Sequence, residues 1–339
     1  MSEKKTILLD HGSGGLASQQ LIGELFLKYL DHPVLRGLED SAILANKPGR
    51  IAFTTDSYVV DPIFFPGGDI GKLAVHGTIN DLAMRGAVPY CLSLGLILEE
   101  GLSFEELERV IISISEACRE AGVPIVTGDT KVVPKGKGDK IFINTSGVGF
   151  VAEEIDISSK NAQVGDAVIL SGTMGDHGIT IMTRRAGISV QGDLHSDTMP
   201  LHTLVAALLR ELPAGTVHAL RDPTRGGVAS TLCEIAENSG LGIELSDESL
   251  PVRPQVRAAC ELLGLEPLYL ANEGKCLAIV SGDQADQALA VMRGTAEGKE
   301  AAIIGRLTAE KAGRVIINTP VGGARVVTPL HGVPLPRIC

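Results

Sequence analysis

The chain has 339 residues, with 30 Lys and Arg against 41 Asp and Glu, so its formal charge is −11. This length predicts two domains, and a hydrophobic content of 44% is enough for ordinary packed cores. The acidic balance argues against a general nucleic-acid binder, which needs a basic face. No apolar run approaches the roughly 18–20 residues of a membrane span, and no signal peptide is recognised, so we expect a cytoplasmic protein.

The first half of the chain alternates helix and strand patterns. Ser103 and Glu106 form a capping box that starts one helix, and Gly122 is a typical stop for it. The predicted elements are a helix over residues 16–30, a strand over 51–55 running into Asp56, a helix over 69–86, the helix after Ser103, and strands over 90–98, 124–127 and 141–150. These elements predict a mixed α/β first domain over residues 1–155.

The second half repeats the α/β pattern over residues 156–325. Its predicted elements are strands over 167–172 and 277–282 and helices over 176–187 and 224–240. The last segment, residues 326–339, contains Pro329, Pro334 and Pro336. This proline content predicts a flexible, extended, polyproline-like tail that ends in Cys339.

The six cysteines include no CxxC pair, which leaves a zinc ribbon or a thioredoxin-type site unsupported. Five of them lie in apolar surroundings and are expected to be reduced core residues. Cys339 differs because it is the last residue, and a thiol on a flexible tail is a tethered nucleophile. Arg337 is placed to steer that tail towards a phosphate or a carboxylate.

Five aspartates lie beside glycines or strand ends. Carboxylates in such places suit Mg²⁺, which takes a few carboxylate oxygens together with substrate phosphates. Aspartate also caps helices and turns, so each residue alone has a purely structural alternative. Together they favour a metal–phosphate site. The five are Asp40, Asp56, Asp81, Asp129 and Asp222.

Two glycine clusters, HGSGG at residues 11–15 and TRGG at 224–227, each precede a predicted helix. Bare backbone N–H groups at a helix start can bind anions. The chain has neither the P-loop pattern nor the dinucleotide pattern GxGxxG. Lys131 and Glu273 have apolar neighbours and need polar partners if they are buried. His76 and Asn80 share one helix face, and for His76 a structural, hydrogen-bonded role is favoured.

Together these motifs resemble one known family. The motifs are HGSGG, TTDS, GKLAVHGTINDLAMRGA, VTGDTKVV, SGTMGDHG, RDPTRGGVA, ANEGK and the terminal PLPRIC. Over essentially its whole length the chain resembles the carbamoyl dehydratases of nickel–iron hydrogenase maturation. These belong to the superfamily of aminoimidazole ribonucleotide synthetase, selenophosphate synthetase and thiamine monophosphate kinase. The resemblance implies an α/β (α+β), two-domain aminoimidazole ribonucleotide synthetase-like fold, with N-terminal strands contributing to a dimer barrel and ATP in the cleft between the domains.

The resemblance also implies a reaction and its partners. A carbamoyltransferase, HypF, would load a carbamoyl group onto Cys339. ATP-dependent dehydration would turn this thiocarboxamide into a thiocyanate, and the cyanide would pass to a HypC–HypD scaffold that builds the iron centre. Glu273 is the expected base, Lys131 the neutralising cation and Arg337 the tail-positioning residue. The implied Mg²⁺ ligands are Asp56, Asp81 and Asp129, and the implied ATP-binding residues are Asp40, Lys72, Asn80, Thr130, Asp222, Gly226 and Gly227.

Two alternatives remain open from the sequence. One is a kinase or synthetase of the same superfamily that acts on a small free substrate, with the tail incidental. The other is a non-catalytic carrier that presents Cys339 to partners. Because presentation alone needs none of the aspartate and glycine clusters, the dehydratase is the leading hypothesis.

Overall fold

The structure is a computed structural model that describes residues 5–190, 192–330, 332 and 337–339. Pro334 and Pro336, on which the predicted polyproline conformation depends, lie outside the described residues. The described residues form a four-stranded and a seven-stranded sheet, together with a two-stranded ribbon.

The strands are numbered in chain order. They are β1 (Arg50–Tyr58), β2 (Phe64–Phe65), β3 (Gly68–Asp69), β4 (Val88–Glu99), β5 (Ile125–Val133), β6 (Ile141–Val151), β7 (Ala167–Leu170), β8 (Val217–Arg221), β9 (Gly242–Ser246), β10 (Leu277–Val280), β11 (Ala302–Thr308), β12 (Val315–Asn318) and β13 (Ala324–Val327).

The helices are numbered in the same way, and a π-helical turn over Ile22–Phe26 joins the first two. They are α1 (Leu16–Leu21), α2 (Leu27–Tyr29), α3 (Pro33–Arg36), α4 (Ile70–Ala83), α5 (Phe104–Ala121), α6 (Asp176–Arg185), α7 (His202–Glu211), α8 (Gly227–Ser239), α9 (Pro254–Leu263) and α10 (Ala285–Arg293).

The first sheet has the strand order β1-β6-β4-β5. Strand β4 pairs in parallel with β5, and α5 makes the crossover that a parallel pair requires. Helix α5 follows the expected caps, because the Ser103 hydroxyl accepts a hydrogen bond from Glu106 N–H and Gly122 closes the helix with φ 68°. Asp69 caps α4 by accepting from Gly71 and Lys72 N–H. Helix α4 is buried on almost every face and covers the inner face of this sheet.

The second sheet has the order β13-β12-β9-β11-β7-β10-β8 and is covered on both faces. Along β7, Val168 and Leu170 belong to one apolar cluster, and Ala167 and Ile169 belong to the other. Side chains alternate between the faces of a strand, so a strand covered on both faces is apolar at every position. Helix α8 packs on one face, and α7 with α10 packs on the other.

The strand boundaries differ from the sequence prediction in a way that affects the site. Asp56 and Asp129 were expected directly after short strands, but both lie inside longer ones, β1 and β5. Pairing with β6 extends β1 to Tyr58, and pairing with β4 extends β5 to Val133. The first sheet ends at Val151 and the second begins at Ala167, an interval that contains the predicted domain boundary at residues 155 and 156.

Candidate active site around the terminal cysteine

The last three residues of the chain are docked between the two halves of the molecule. Ile338 is 6% exposed and joins the apolar core of the first half. Val59 N–H donates to the main-chain oxygen of Cys339 at 3.1 Å, and Asp61 N–H donates to the Arg337 carbonyl oxygen at 3.3 Å. This antiparallel pairing extends the line of β1. It differs from the free arm that we expected, because backbone pairing and burial of Ile338 hold the tail end in place.

Arg337 fixes the tail from the outer side. Its Nε donates to the Val59 carbonyl oxygen at 3.2 Å, and its guanidinium forms an ion pair with Asp139. Arg185 donates to the carbonyl oxygens of Arg337 and Asp61. In this docked conformation the partner of Arg337 is therefore a carboxylate of the protein itself.

The Cys339 sulfur forms a hydrogen bond with Arg225 and interacts electrostatically with Glu273 and Asp56. Burial raises the pKa of the thiol to about 12, and repulsion from Glu273 adds to this, while a hydrogen bond from Arg225 opposes it. The docked sulfur is therefore protonated at neutral pH. A cavity of about 350 Å³ opens next to it and includes Arg225, Gly226 and Tyr269 in its lining.

Glu273 is 4% exposed, and its Oε1 has no hydrogen-bond partner within the described structure. Its main chain is held on both sides, because its N–H donates to Asp197 Oδ1 at 3.0 Å and its carbonyl oxygen accepts from Asn80 Nδ2 at 3.3 Å. Burial raises the pKa of this carboxyl well above its usual range, and repulsion from Asp197 and Asp222 raises it further. A buried carboxyl with an unpaired oxygen that interacts with a nearby thiol is a candidate for taking and returning a proton.

Arg225 is a site residue that the sequence reasoning missed. It forms an ion pair with Asp56 at 3.3 Å, and the Cys339 sulfur is the main reason that its pKa is raised. The available signal was its position in RDPTRGGVA, directly before two glycines that were themselves singled out. An exposed arginine in a turn commonly points into solvent and has no specific role. The sequence pattern alone therefore does not single out Arg225.

Asp56, Asp81 and Asp222 form a group of interacting carboxylates. Thr54 Oγ1 donates to Asp81 Oδ2 at 2.7 Å. Burial raises the pKa of Asp81, and repulsion from Asp56 contributes as well. Burial likewise raises the pKa of Asp222 to about 7, with further repulsion from Asp81.

A second cavity, of about 370 Å³, adjoins these carboxylates. Asp81 and Asp222 line it together with the cationic side chains of Arg85, Lys160 and Arg221. Carboxylates that repel one another next to cationic side chains suit a metal ion accompanied by phosphate groups.

Asp129, Thr130 and Lys131 lie elsewhere, on the edge strand β5. Lys131 Nζ contacts Asp129 Oδ2 at 2.9 Å, and its hydrogen bond lowers the pKa of Asp129. All three line a cavity of about 200 Å³ together with His11 and Gly12 of the first glycine cluster.

The three predicted metal ligands do not form one metal cage. Asp56 is opposite Thr145 on β6, Asp129 is opposite Gly95 on β4, and β1 and β5 are the two outer strands of the sheet. Three strand spacings of ~4.8 Å separate them by roughly 14 Å. Within the described part of the chain, no three His, Cys, Asp or Glu side chains converge as a metal-binding group. The carboxylates thus fit Mg²⁺ held mainly by phosphates rather than by a preformed protein cage.

Asn80 was predicted to border the phosphates, and the structure gives it another role. It is 1% exposed, its Oδ1 accepts from Leu201 N–H at 2.8 Å, and its Nδ2 donates to the Met199 carbonyl oxygen at 3.1 Å. With its amide occupied by protein groups, Asn80 ties α4 to the second half of the molecule. His76 is likewise buried and contacts Thr198 at 3.2 Å, as its structural interpretation predicted.

The other predicted ATP-binding residues are spread over three places. Gly226 and Gly227 form the N-terminal turn of α8, beside the docked tail. Lys72 is half-buried in the first turn of α4, and Asp40 is exposed on the segment before β1. Among the described residues, we find no helix with the length and apolar character that a bilayer span requires.

Two protein-family models match the chain. The model described as AIR synthase related protein, N-terminal domain, matches residues 38–151, and the corresponding C-terminal domain model matches residues 163–318. Both matches agree with the α/β (α+β) fold expected from the sequence, which is thereby confirmed.

Known proteins are similar to the chain over nearly its full length. Carbamoyl dehydratase HypE of Azotobacter vinelandii is 52% identical over 329 residues, which is 97% of this chain and 96% of that protein. A crystal structure of the hydrogenase maturation protein HypE in complex with ATP has a TM-score of 0.94 at 51% identity, covering 98% of this chain and 100% of that one. A chain in the crystal structure of a HypE–HypF complex has a TM-score of 0.80 at 47% identity, covering 91% and 99% of the two chains.

Proposed function

This chain belongs to the carbamoyl dehydratase HypE family, an enzyme family of hydrogenase maturation within the AIR synthase related proteins, and we propose the reaction that it catalyses. It uses ATP to dehydrate a carbamoyl group carried by Cys339, converting the thiocarboxamide into a thiocyanate. The product supplies the cyanide ligand of the iron centre of nickel–iron hydrogenase. ATP binding is supported by the HypE–ATP complex, which this fold matches closely.

The observation that supports this reaction best is the position of the terminal thiol. The chain brings its own Cys339 to the buried carboxyl of Glu273 and to the guanidinium of Arg225. A carbamoyl group on that sulfur would extend into the adjoining cavity of about 350 Å³. Substrate and acid–base group are thus held in one site, which is the arrangement that proximity catalysis requires.

One ATP is consumed for each carbamoyl group that is dehydrated. The amide oxygen of Cys–S–C(=O)NH₂ attacks the γ-phosphorus and ADP leaves, which turns a poor leaving group into a phosphate. Both N–H protons are then lost, the C–O bond breaks with release of phosphate, and the C≡N bond forms. Glu273, with its unpaired Oε1, is the group placed to accept a proton from the nitrogen.

Two sets of residues are assigned to ATP and metal. Asp56, Asp81 and Asp222, with Gly226 and Gly227, would hold phosphates and Mg²⁺ near the tail. When bound, Mg²⁺ would offset phosphate charge. Lys131 lies with Asp129 and Thr130 on β5, across the sheet from Asp56, so we assign these three to the nucleotide rather than to the sulfur of the same copy.

The partners are inferred from relatives and from surface chemistry. HypF as the carbamoyl donor is supported by the HypE–HypF complex, and the HypC–HypD scaffold as acceptor is what the family resemblance implies. A homodimer is supported by four exposed apolar residues on the first sheet, namely Ile51, Phe53, Val88 and Ile97.

All six cysteines are free thiols, as in reducing compartments, and we place the reaction in the cytoplasm.

The deciding experiment follows the mass of the C-terminal peptide. Protein carbamoylated on Cys339 is incubated with ATP and Mg²⁺, and we expect the peptide to lose the mass of one water with release of one phosphate. The Cys339→Ala protein should form no adduct, and carbamoylated Glu273→Gln protein should dehydrate at least about a hundredfold more slowly, as for loss of a general base.

Three results would contradict the proposal. Thiocyanate formation by Cys339→Ala protein would show that the tail is not the substrate. Phosphate release driven by a small free amide, equally fast without Cys339, would instead indicate a superfamily kinase or synthetase. A carbamoylated protein that keeps its mass in the presence of ATP would match a carrier.

A further inference from the structure

His177 connects the interior of the second half to the tail. It lies in the first turn of α6 and is 0% exposed. Its Nε2 is 2.8 Å from the Ile338 carbonyl oxygen, and its Nδ1 is 2.8 Å from Ser196 Oγ. The imidazole therefore bridges a buried loop and the residue directly before the reactive cysteine.

The chemistry of these partners fixes the tautomer of the ring. A carbonyl oxygen can only accept, so Nε2 carries the hydrogen, and Nδ1 of the neutral ring must then accept from the Ser196 hydroxyl. Ser196 is itself oriented, because its Oγ accepts from Thr198 N–H at 3.3 Å. Burial lowers the pKa of His177, which favours the neutral ring.

Two hydrogen bonds thus flank the reactive residue. His177 Nε2 donates to the carbonyl oxygen of Ile338, directly before Cys339, and Val59 N–H donates to the main-chain oxygen of Cys339 itself. These two hydrogen bonds fix the peptide plane before Cys339 and the group after it, and so they set the position of a thiol that interacts electrostatically with Glu273. If the tail leaves, the Nε2–H of a fully buried ring loses its acceptor, and this cost favours the docked state.

We propose that His177 is a positioning residue for the dehydration, which orients the carbamoylated cysteine by donating from Nε2 to the Ile338 carbonyl oxygen. This inference rests on the proposed function, because it concerns the same tail in the same site. It assigns no proton transfer to His177, since the ring contacts the tail backbone and not the reacting atoms.

The test compares three variants with one matched control. His177→Phe keeps an aromatic ring against Phe65, whose centroid lies 5.6 Å away, but removes the donor. His177→Gln restores an N–H at the same reach, and Ser196→Ala keeps the imidazole while freeing its tautomer. His202→Phe is the control, because it replaces a half-buried histidine whose Nδ1 has no partner in the described structure.

Two readouts are measured on the full chain. The first is the rate of water loss from carbamoylated Cys339 over a range of ATP concentrations. The second is the rate at which iodoacetamide alkylates unmodified Cys339 at neutral pH. For His177→Phe we expect about tenfold slower dehydration at saturating ATP, unchanged half-saturation by ATP, and about tenfold faster alkylation, as for loss of one buried hydrogen bond. His177→Gln should restore most of the parental dehydration rate and most of the parental resistance to alkylation. Ser196→Ala should give rates between those of the parent and of His177→Phe, and His202→Phe should have the parental rates.

The proposal is overturned if His177→Phe matches the parent in both readouts, or if His177→Gln is as impaired as His177→Phe. If His177→Phe does not fold, Ser196→Ala decides the question, and parental behaviour of that variant overturns the proposal. If the parent protein itself fails to dehydrate its adduct, the proposed function is wrong. The alkylation rates, which involve no carbamoyl group, then still decide the role of His177.

Discussion

The reactivity of Cys339 depends on whether its thiol is protonated, because the thiolate is the nucleophile. In the docked position burial raises the thiol pKa to about 12, and repulsion from Glu273 contributes. Docking therefore protects the sulfur from electrophiles. In the proposed reaction, acceptance of a carbamoyl group requires the thiolate, so we expect loading to take place when the tail has left this position.

The pH dependence of docking follows from the sign of this shift. The docked pKa lies above the ordinary value of 9.0. The neutral thiol docks equally well below that pH, and docking weakens as the pH rises from about 9 towards about 12. We expect the alkylation rate of Cys339 to keep rising with pH where that of a free thiol has levelled off. In Glu273→Gln protein, which lacks the repelling carboxylate, the apparent thiol pKa should fall.

The measurement is the pH profile of iodoacetamide alkylation, read on the C-terminal peptide. Replacement of the exposed Glu237 by Gln is the matched control and should leave the profile unchanged. A Glu273→Gln profile that superimposes on that of the parent would contradict the assigned repulsion.

The sequence singles out candidate site residues when their chemistry lacks a structural explanation. Glu273 and Cys339 belong to this class, since a lone carboxylate before a buried strand and a terminal thiol have no ordinary packing role. Asn80 does not belong to this class, because the sequence around an amide on a helix face is the same whether that amide binds protein groups or a ligand. Arg225 was missed because its two contacts, Asp56 and the tail, are far away in the sequence.

At the scale of single elements, the N-terminal turn of α8 is closely constrained. Gly227 has φ +62°, and a Cβ there would lie 2.5 Å from the carbonyl oxygens of Leu268 and Leu270. Gly240, at the other end of the same helix, has φ +69° but nothing within 4 Å of a Cβ. The two glycines share one backbone conformation and differ in their surroundings.

This pair gives a matched prediction. Gly240→Ala should cost about 1 kcal/mol of unfolding free energy, the penalty of a left-handed alanine. Gly227→Ala carries the same penalty and a collision with backbone, so we expect a loss of at least about 3 kcal/mol. Denaturant unfolding of both variants measures the difference, and stabilisation by ATP should weaken only in Gly227→Ala. Equal losses in the two variants would show that the close approach does not constrain the turn.

Elements with local signals were predicted well, and those defined by pairing were not. Helix α5 follows from Ser103, Glu106 and Gly122, which lie within its own sequence. The lengths of β1 and β5 depend on hydrogen bonds to β6 and β4, which no local pattern contains. For this reason Asp56 and Asp129 were expected at strand ends but lie within strands on opposite edges of the sheet.

At the scale of the whole molecule, the outer face of the first sheet carries apolar side chains that no other described residue covers. Ile51 is 68% exposed, Phe53 67%, Val88 70% and Ile97 45%. A face of this kind is expected to be buried by association, and the proposed homodimer would bury it.

We expect Phe53→Asp to convert the dimer into a monomer. Burying an aspartate in place of a phenylalanine removes about 2–3 kcal/mol of apolar burial per copy and adds a charge that has no partner. Val321→Asp is the control, because Val321 is 93% exposed in the second half and should tolerate the charge. Sedimentation equilibrium gives the masses, and a monomeric parent or a dimeric Phe53→Asp protein would contradict the proposal.

The two-domain α/β fold could be predicted because the motifs of one family extend along the whole chain. The docking position of the tail could not be predicted, since it depends on contacts with residues that lie far apart in the sequence. These residues are Val59, Asp139, His177 and Arg185. Proline-rich composition predicts extension but does not say which surface receives the extended segment.

The docked tail also has a kinetic consequence. An attached segment meets its own site at an effective concentration on the order of millimolar, whatever the dilution of the protein. The proposed dehydration is then expected to be first order, insensitive to protein concentration and difficult to inhibit with an added peptide of the same sequence. Under the proposed function, each molecule processes one carbamoyl group and must be discharged before the next, so every turnover requires one encounter with a loading protein and one with an unloading protein.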